Sequence, residues 1–434
     1  MYKQIIIIGL SLSSQLLHAQ DLMDVYRLAL ERDAEFKIAE SQYQSVLESL
    51  PIAVSTWRPQ VNLSAHISKR ETDGLSSFAN TSDSYGYRVN LTQKLYNAEN
   101  LATIDAAEAL VAKAQAELEF SHQALILRVS ERYFDILSTE DNLEFARAEE
   151  NAIARQLEQA KKRFEVGLIA ITDVLEAQAR YDSALAQSIL AENLLANANQ
   201  ALQVIIAEMP SASIAGLGEK LELGIPEPAD IRQWVDRSLQ NNQNLVAALA
   251  ALRAAEHERE GNRKSYYPTV DLIASFSDTN FDNPTTGAAR QEDLRLSIEL
   301  NVPLFTGGRI NAELQQAEAN YRTAQNTALL QKRLTSQQTR NAYLGVVSGI
   351  SQVQALKQAL SSSTTALEAT EAGFEVGTRT SVDVLISLQE IYRAQRDYAS
   401  ARYDYLLNTL RLKQATGLLN AEDLQQVNRW LVRE

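Results

Sequence analysis

Residues 99–164 contain neither proline nor glycine. Because these residues are the strongest helix breakers, the segment predicts one continuous helix, which at about 1.5 Å per residue is about 100 Å long. An ordinary globular core cannot bury a helix of that length, so it must pack lengthwise against other helices. A second long helix is predicted to start after Gly308 and to run to about Phe374. Together the two segments predict a mainly helical fold of extended, paired helices.

Two further helices carry the residue spacing of a coiled coil. Their apolar and small residues follow alternating steps of three and four, the spacing of a seam along which helices pack. The alanine and serine content indicates that the packed helices approach each other closely. The seam residues are Val174, Ala177, Tyr181, Ala184, Ser188, Ala191, Leu195, Ala198, Leu202 and Ile205 in one helix, and Val384, Ser387, Ile391, Ala394, Tyr398, Ala401, Tyr405, Asn408, Leu412 and Ala415 in the other.

A motif that occurs twice marks the joint between each long helix and its coiled-coil neighbour. Phe-Glu-Val-Gly is followed after five residues by Asp-Val-Leu, first within 164–175 and again, 210 positions later, within 374–385. A glycine that ends one helix and an aspartate near the start of the next describe the tip of a helical hairpin. We therefore predict hairpin tips at 164–173 and 374–383.

Two other regions show apolar and polar residues in alternation, which predicts β-hairpins at 60–94 and 269–303, with polar loops at 71–84 and 278–292. Strict alternation over about ten residues is the pattern of a membrane-crossing strand. A soluble two-sided sheet is the alternative interpretation. The apolar set is Val61, Leu63, Ala65, Ile67, Tyr85, Tyr87, Val89, Leu91, Val270, Leu272, Ala274, Phe276, Leu294, Leu296, Ile298, Leu300 and Val302.

The two halves of the chain repeat one order of elements: helix, β-hairpin, long helix, tip and helix. The first repeat is predicted at 20–208 and the second at 231–416. Residues 209–230 collect proline, glycine and serine and are predicted to link the repeats, and 417–434 form a C-terminal cap.

Four membrane-type strands are too few for one chain to close a barrel, because the smallest closed barrels use about eight. An open sheet in lipid would leave its edge groups without hydrogen bonds, at several kcal/mol each. Several chains must therefore share one barrel. The predicted fold class is mainly α, with long coiled-coil hairpins and a membrane β-barrel contribution that oligomerisation completes.

Residues 1–19 have the features of a signal peptide. Lys3 precedes an apolar run, and Ala19 is a suitable cleavage position. No later stretch has the length of a helical membrane span, so the membrane of this exported chain is predicted to be an outer one. The net charge of −14 argues against a nucleic acid partner, and the lack of cysteine excludes disulfides and a lipid-bearing cysteine.

No arrangement of residues predicts an active site, a metal site or a cofactor. The nucleotide-binding and hydrolase motifs are missing, and the histidines are too scattered for a metal cluster or a triad: His18, His66, His122 and His257. The charged groups at 147–150 and 161–165 are interpreted as solvated helix faces. The polar strand faces favour a water-filled duct, and the alternative is a membrane-anchored structural coiled-coil or adhesive protein without transport.

Several long stretches resemble the TolC family of outer-membrane export ducts. They lie at 21–30, 163–174, 300–308, 372–385 and 399–406. The resemblance implies a homotrimer in which three sets of four strands form one barrel in the outer membrane, continued by a helical barrel through the periplasm. It also implies docking with a periplasmic adaptor (membrane fusion) protein and an inner-membrane transporter, in multidrug efflux or type I protein secretion.

The resemblance assigns roles to the hairpin tips, which the family coils inward to close the duct and untwists to open it. By motif position, Thr172 and Asp173 of the first tip and Arg379 of the second would form a latch. An exposed Arg–carboxylate pair contributes only about 0–1 kcal/mol, so such a latch can hold and still release. Asp383 would line the tunnel constriction, where three copies make a carboxylate ring that favours cations.

Two positions depart from the family pattern. Phe374 replaces a latch tyrosine and has no hydroxyl, and Ile386 replaces a second ring aspartate. One ring would then be acidic and the next apolar, which suggests weaker cation selectivity; alternatively, both are ordinary seam residues. The tip residues predicted to dock partner proteins are Gly167, Leu168, Gly377 and Thr378.

Overall fold

The computed structural model describes residues 20–72, 80–208, 214–218, 220–283 and 287–432. The predicted signal peptide at 1–19 lies outside these residues. The helices are α1 (Leu22–Arg32), α2 (Ala34–Leu47), α3 (Ser49–Ser55), α4 (Ala98–Glu165), α5 (Ile171–Ile206), α6 (Ile231–Asn241), α7 (Gln243–Lys264), α8 (Arg309–Glu375), α9 (Ser381–Ala415) and α10 (Ala421–Asn428). The strands are β1 (Gln60–Thr72), β2 (Asn80–Tyr96), β3 (Gly216–Leu217), β4 (Thr269–Asn283), β5 (Gly287–Asn301) and β6 (Leu431–Val432).

Four long helices dominate the fold, as the runs without helix breakers predict. α4 has 68 residues and α8 has 67, and they are followed by α5 with 36 and α9 with 35. The two mid-helix glycines of α8, Gly345 and Gly349, face Asn408 and Tyr405 of α9. Among the residues that the structure describes, no helix combines the length and the apolar character that a membrane crossing requires.

The long strands form one antiparallel sheet in the order β1-β2-β4-β5. The polar loops predicted at 71–84 and 278–292 are too long, because β1 pairs with β2 out to Thr72 and Asn80, and β4 with β5 out to Asn283 and Gly287. The central parts of the two predicted loops, 73–79 and 284–286, lie outside the described residues. A ladder depends on backbone hydrogen bonds, which continue where the side chains become polar on both faces. The strands therefore extend beyond the alternating segments that predicted them.

The chain divides into two compact units, and each takes elements from both halves of the sequence. One unit contains the whole four-stranded sheet and comprises Ile38–Phe120 and Gln243–Thr335. The other comprises Met1–Lys37, Ser121–Asn242 and Ser336–Glu434.

The core of this second unit surrounds the middle of α4. Tyr133 is fully buried, and its hydroxyl donates to the carbonyl oxygen of Ala215 at 2.7 Å. Phe134 stacks on Tyr403 of α9 with ring centroids 5.8 Å apart, and the Tyr403 hydroxyl donates to the Asp141 carboxylate at 2.7 Å. These contacts join α4 to α9 across the interior of the unit.

The short strands β3 and β6 form a two-stranded ribbon, which joins the segment between the two repeats to the C-terminal segment. Gly216 pairs with Val432 and Leu217 with Leu431, in antiparallel register. Nearby, the turn that follows α9 contains Gly417, whose φ is +72° and whose Cβ position is occupied by the backbone of Asn241. The predicted C-terminal cap thus packs on the helical unit.

Candidate gate at the hairpin tips

The first hairpin tip begins where α4 ends at Glu165. The amide of Gly167 donates to the carbonyl of Phe164 at 2.9 Å, and the amide of Leu168 donates to Arg163, also at 2.9 Å. This pair of bonds is a Schellman motif, which satisfies carbonyls that the helix end would otherwise leave unpaired. Gly167 has a φ of +75°, a left-handed conformation that favours glycine.

The second tip repeats this geometry at the end of α8. The amide of Gly377 donates to Phe374 at 3.1 Å, and the amide of Thr378 donates to Gly373 at 2.8 Å. Gly377 has a φ of +80°, and no atom lies within 4 Å of where its Cβ would stand. Gly167 and Gly377 therefore have the same structural role: the left-handed backbone of each glycine ends the preceding long helix.

The helices that leave the two tips start differently. α9 begins with a capping box, in which the amide of Asp383 donates to Thr380 Oγ1 at 3.2 Å and the amide of Thr380 donates to Asp383 Oδ2 at 2.9 Å. α5 begins after Ala170, which makes no side-chain hydrogen bond to the helix. Asp173 occupies the same position in α5 as Asp383 does in α9, but it has no hydroxyl partner at the N-cap.

The capping box also sets the charge of Asp383. The amide of Thr380, followed by its hydroxyl, lowers the pKa of the Asp383 carboxyl, and the nearby Arg379 acts in the same direction. Asp383 therefore stays ionised to a lower pH than an ordinary aspartate. The sequence contains a local signature of this box, a threonine three residues before an acid. The family resemblance, in contrast, assigns Asp383 only to the carboxylate ring of the constriction.

The predicted latch is not formed within one chain. Thr172 donates to its neighbour Asp173 at 3.5 Å, at the limit of a hydrogen bond. Arg379 is exposed, and in the described part of the chain its guanidinium forms no ion pair with Asp173 or any other carboxylate.

Phe374 contacts both hairpins of its own chain. The guanidinium of Arg163, from the first tip, lies 4.3 Å from the centroid of the Phe374 ring, a cation–π contact. The ring also packs, with Leu367 and Tyr392, on a buried cluster of Ala152, Val384 and Leu388. Phe374 thus lies in the helix-packing seam and also meets a cation from the first tip.

The remaining predicted site residues lie on the surface of the single chain. Ile386 is 44% exposed, whereas the preceding residue, Leu385, is fully buried beside Val174. Leu168 is 71% exposed, and Gly167, Gly377 and Thr378 are also exposed. The apolar side chains of the tips are therefore available to another protein chain.

Two polar links between the hairpins were not predicted from the sequence. Arg180 of α5 donates to Gln389 of α9 at 2.7 Å, and Arg396 of α9 pairs with Glu149 of α4 at 3.0 Å. Glu149 is buried, so interpreting 147–150 as a purely solvated face is wrong for this residue. Its partner is 247 positions away, and no local pattern marks such a pair.

The fold of this chain is also found in solved structures. The Campylobacter jejuni CmeC outer membrane channel has a similar structure, with a TM-score of 0.80 over 95% of this chain and 90% of that chain, at 16% sequence identity. This chain therefore shares its fold, long paired helices with a four-stranded sheet, with that channel.

The family follows from the sequence comparisons. The family described as outer membrane efflux protein matches residues 25–208 and 234–418. The outer membrane protein TolC of Vibrio cholerae serotype O1 is 35% identical over 413 residues, covering 94% of this chain and 93% of that protein. The alkaline protease secretion protein AprF of Pseudomonas aeruginosa is 29% identical over 417 residues, covering 94% and 87%. The chain belongs to the outer membrane efflux protein family.

Family membership confirms the main predictions. The protein is an outer-membrane duct for efflux or secretion, with a helical tunnel in the periplasm, and it is not an enzyme. The mainly helical fold class with a sheet contribution is also confirmed. Family membership therefore rejects the alternative function, a structural or adhesive protein without transport.

Proposed function

We propose that three copies of this chain close one twelve-stranded barrel and one periplasmic tunnel, and that the hairpin tips gate the tunnel. The observation that carries the proposal is the open sheet: β1 and β5 each have one edge without a partner strand in the described part of the chain. Unpaired edges are not tolerated in lipid, because their amides and carbonyls would lose their hydrogen bonds. Pairing β1 of one copy with β5 of the next satisfies both edges.

Cyclic pairing of this kind uses two different surfaces of each chain, so it closes a ring without a remaining edge. Three copies give twelve strands, a number that leaves room for an aqueous lumen, whereas about eight strands are filled by side chains. The strand face opposite the apolar one carries Ser64, Arg88, Asn90, Arg295 and Glu299, which suits a lumen filled with water.

The arrangement of charged and polar side chains at the tips supports the proposed gate. Arg379 has no carboxylate partner within the described chain, while Thr172 and Asp173 present acceptors on the other hairpin. In a ring of chains, Arg379 of one copy latches onto these acceptors of its neighbour. Untwisting of the hairpins breaks these links and opens the tunnel, and exposed pairs are weak enough to be broken by a docking partner.

The proposed partners are a periplasmic adaptor protein and an inner-membrane transporter. The exposed apolar side chains at both tips, Val166, Leu168 and Val376, support a docking role, since each is at least 70% exposed in the single chain. A passive duct takes its cargo from the pump that it meets. The similarity to both TolC and AprF is compatible with small molecules or proteins as cargo.

Purification from outer membranes tests the assembly. We expect a detergent-dependent particle whose protein mass, by light scattering, equals three chains and which conducts ions in a planar lipid bilayer. A chain that is soluble and monomeric without detergent would overturn the trimeric barrel. A three-chain particle without conductance would leave the trimer standing and overturn the proposed tunnel.

The role of Asp383 makes a further prediction. Asp383→Ala and Asp383→Asn should lower the ratio of cation to anion permeability several-fold, because three carboxylates leave the constriction together. Bilayer reversal potentials in a salt gradient measure this ratio. The matched control is Thr380→Ala, which removes the hydroxyl of the capping box but keeps the carboxylate, so selectivity should be retained.

The same measurement against pH tests the lowered pKa of Asp383. A carboxylate with a depressed pKa keeps its charge as the pH falls through the ordinary aspartate range, and loses it only below its own pKa. Cation selectivity due to Asp383 should therefore persist through that range. Selectivity that disappears at the ordinary aspartate pKa would show that repulsion among the three carboxylates outweighs the capping box in the assembled channel.

A further inference from the structure

A series of contacts joins the first hairpin (α4 and α5) to the second (α8 and α9), at increasing distance from the tips. The contact nearest to the tips places the guanidinium of Arg163 4.3 Å from the centroid of the Phe374 ring. Both side chains are only partly buried. A cation–π contact is weak where water reaches it, so this link is easily broken.

The next contact lies about 12–14 Å of helix from the starts of α5 and α9. There the guanidinium of Arg180 donates to the side-chain oxygen of Gln389 at 2.7 Å. The acceptor carries no charge, and the Arg180 side chain is 25% exposed and also pairs with Glu176 of its own helix at 3.5 Å. Breaking this contact therefore leaves no carboxylate without a partner, and Arg180 keeps both water and Glu176.

The third contact is a buried ion pair between α4 and α9. Arg396 donates to the Glu149 carboxylate at 3.0 Å, and the Glu149 side chain is only 8% exposed. The pair is about 24 Å from the end of α4 and about 22 Å from the start of α9. Separating it would leave a charge in a buried position without compensation, which is strongly unfavourable. It is thus much harder to break than the two contacts nearer the tips.

Beyond the ion pair, the contact between the same two helices is also buried. The hydroxyl of Tyr403 donates to the Asp141 carboxylate at 2.7 Å, and its ring stacks on Phe134 with centroids 5.8 Å apart. The Tyr403 and Phe134 side chains are both buried. This contact lies about 33–36 Å from the tip ends of the helices. The contacts between the hairpins therefore become harder to break with distance from the tips.

Apolar side chains also lie between the hairpins, on the tip side of the ion pair. Val384 and Leu388 pack on Ala152, and Leu385 packs in a cluster with Val174. Hydrophobic contact is non-directional, so packed helices can roll over each other while such side chains stay in contact. A hydrogen-bonded ion pair requires a fixed geometry and does not tolerate the roll. The ion pair, and not the apolar cluster, therefore limits this motion.

We infer that Glu149 and Arg396 form the pivot of the gate. When the tips separate, the two hairpins of a chain roll apart from their ends up to this pair and stay joined beyond it. The moving part is then about a quarter of the length of α4. Glu149 and Arg396 are positioning residues, since they set how far the tips can move. The inference rests on the proposed duct and gate, because it assumes that the tips separate.

Loss of the pivot has a measurable consequence. Without the ion pair, the next directional contact between α4 and α9 is that of Tyr403 with Asp141. The moving part then lengthens from about 22–24 Å to about 33–36 Å. For the same angle of opening, the tips move about 1.5 times as far.

Single-channel recording of the full-length protein in lipid bilayers tests the pivot. It measures two separate quantities: the largest conductance level and the fraction of time spent open. In the double variant Glu149→Leu with Arg396→Met, apolar side chains of similar volume replace the pair, an exchange that buried ion pairs often tolerate without loss of stability. We expect its largest conductance level to rise about 1.5-fold or more, because the tips move further apart.

A second variant covers the case in which the double variant does not assemble. Glu149→Gln keeps a hydrogen-bond acceptor for Arg396 but removes the ion pair, so its largest conductance level should lie between those of the unmodified protein and the double variant. The matched control is Gln389→Leu, which removes a contact on the tip side of the pivot. It should increase the fraction of time spent open and leave the largest level unchanged.

The outcomes separate the pivot from the duct. An unchanged largest level in the double variant and in Glu149→Gln would overturn the pivot and leave the duct standing. An equal rise in Gln389→Leu would also overturn it, since the ion pair would then have no special position. Absence of conductance in the unmodified protein would overturn the duct and the pivot together.

Discussion

Replacing Gly417 with alanine is expected to destabilise the protein by about 2–5 kcal/mol. Gly417 has a φ of +72°, which costs a residue with a Cβ about 1–2 kcal/mol. The backbone carbonyl of Asn241 also occupies the position of the new methyl group, and the amide nitrogen of Asn242 is 3.0 Å from it. Overpacking against rigid backbone adds about 1–3 kcal/mol. The midpoint of chemical unfolding, followed by the helical signal, measures the loss.

Gly377→Ala is the matched control for this experiment. In both turns the glycine amide and the next amide donate to carbonyls of the preceding helix: Gly417 to Gln414 after α9, and Gly377 to Phe374 after α8. Gly377 has a φ of +80°, but nothing lies within 4 Å of its Cβ position. Only the backbone cost of about 1–2 kcal/mol should appear. If the two variants lose the same stability, then the close approach of Gly417 to Asn241 does not hold in the assembled protein.

Replacing Arg379 with serine is expected to open the closed channel. An exposed pair contributes up to about 1 kcal/mol, so the loss of three equivalent latches weakens the closed state by up to about 3 kcal/mol. This is on the order of a hundredfold in the ratio of closed to open channels. Single-channel recording in bilayers should show higher mean conductance, and Arg379→Lys should be intermediate, because lysine keeps the charge but not the forked geometry.

An arginine of α9, the helix that follows the second tip, provides the control. Arg393 pairs with Glu390 of its own helix at 3.1 Å, so Arg393→Ser removes an exposed cation without touching the proposed latch. Its conductance should equal that of the unmodified channel. If Arg379→Ser also leaves conductance unchanged, the latch does not involve Arg379.

Local signals predicted most of the architecture. The helices follow from long runs without proline, and the tips from Gly167 and Gly377, whose left-handed backbone conformation favours glycine. The strand ends were less predictable, because pairing continues to Thr72 and Asn80 on backbone hydrogen bonds alone, whatever the polarity of the side chains.

The contacts that hold the hairpins together have no local signal. Arg180 meets Gln389 across 209 positions, and Arg396 meets Glu149 across 247, so both depend on how separate helices pack. The capping role of Asp383 is different, since a threonine three residues before an acid is a readable N-terminal pattern.

The unequal helix starts at the two tips affect how an aperture built from them moves. α9 is secured by the capping box of Thr380, whereas α5 starts after Ala170, and a side-chain cap contributes about 0.5–2 kcal/mol. In the proposed trimer, three capped α9 starts alternate with three uncapped α5 starts around the axis. We therefore expect the proposed aperture to open unevenly, with the three α5 starts unwinding before the three α9 starts.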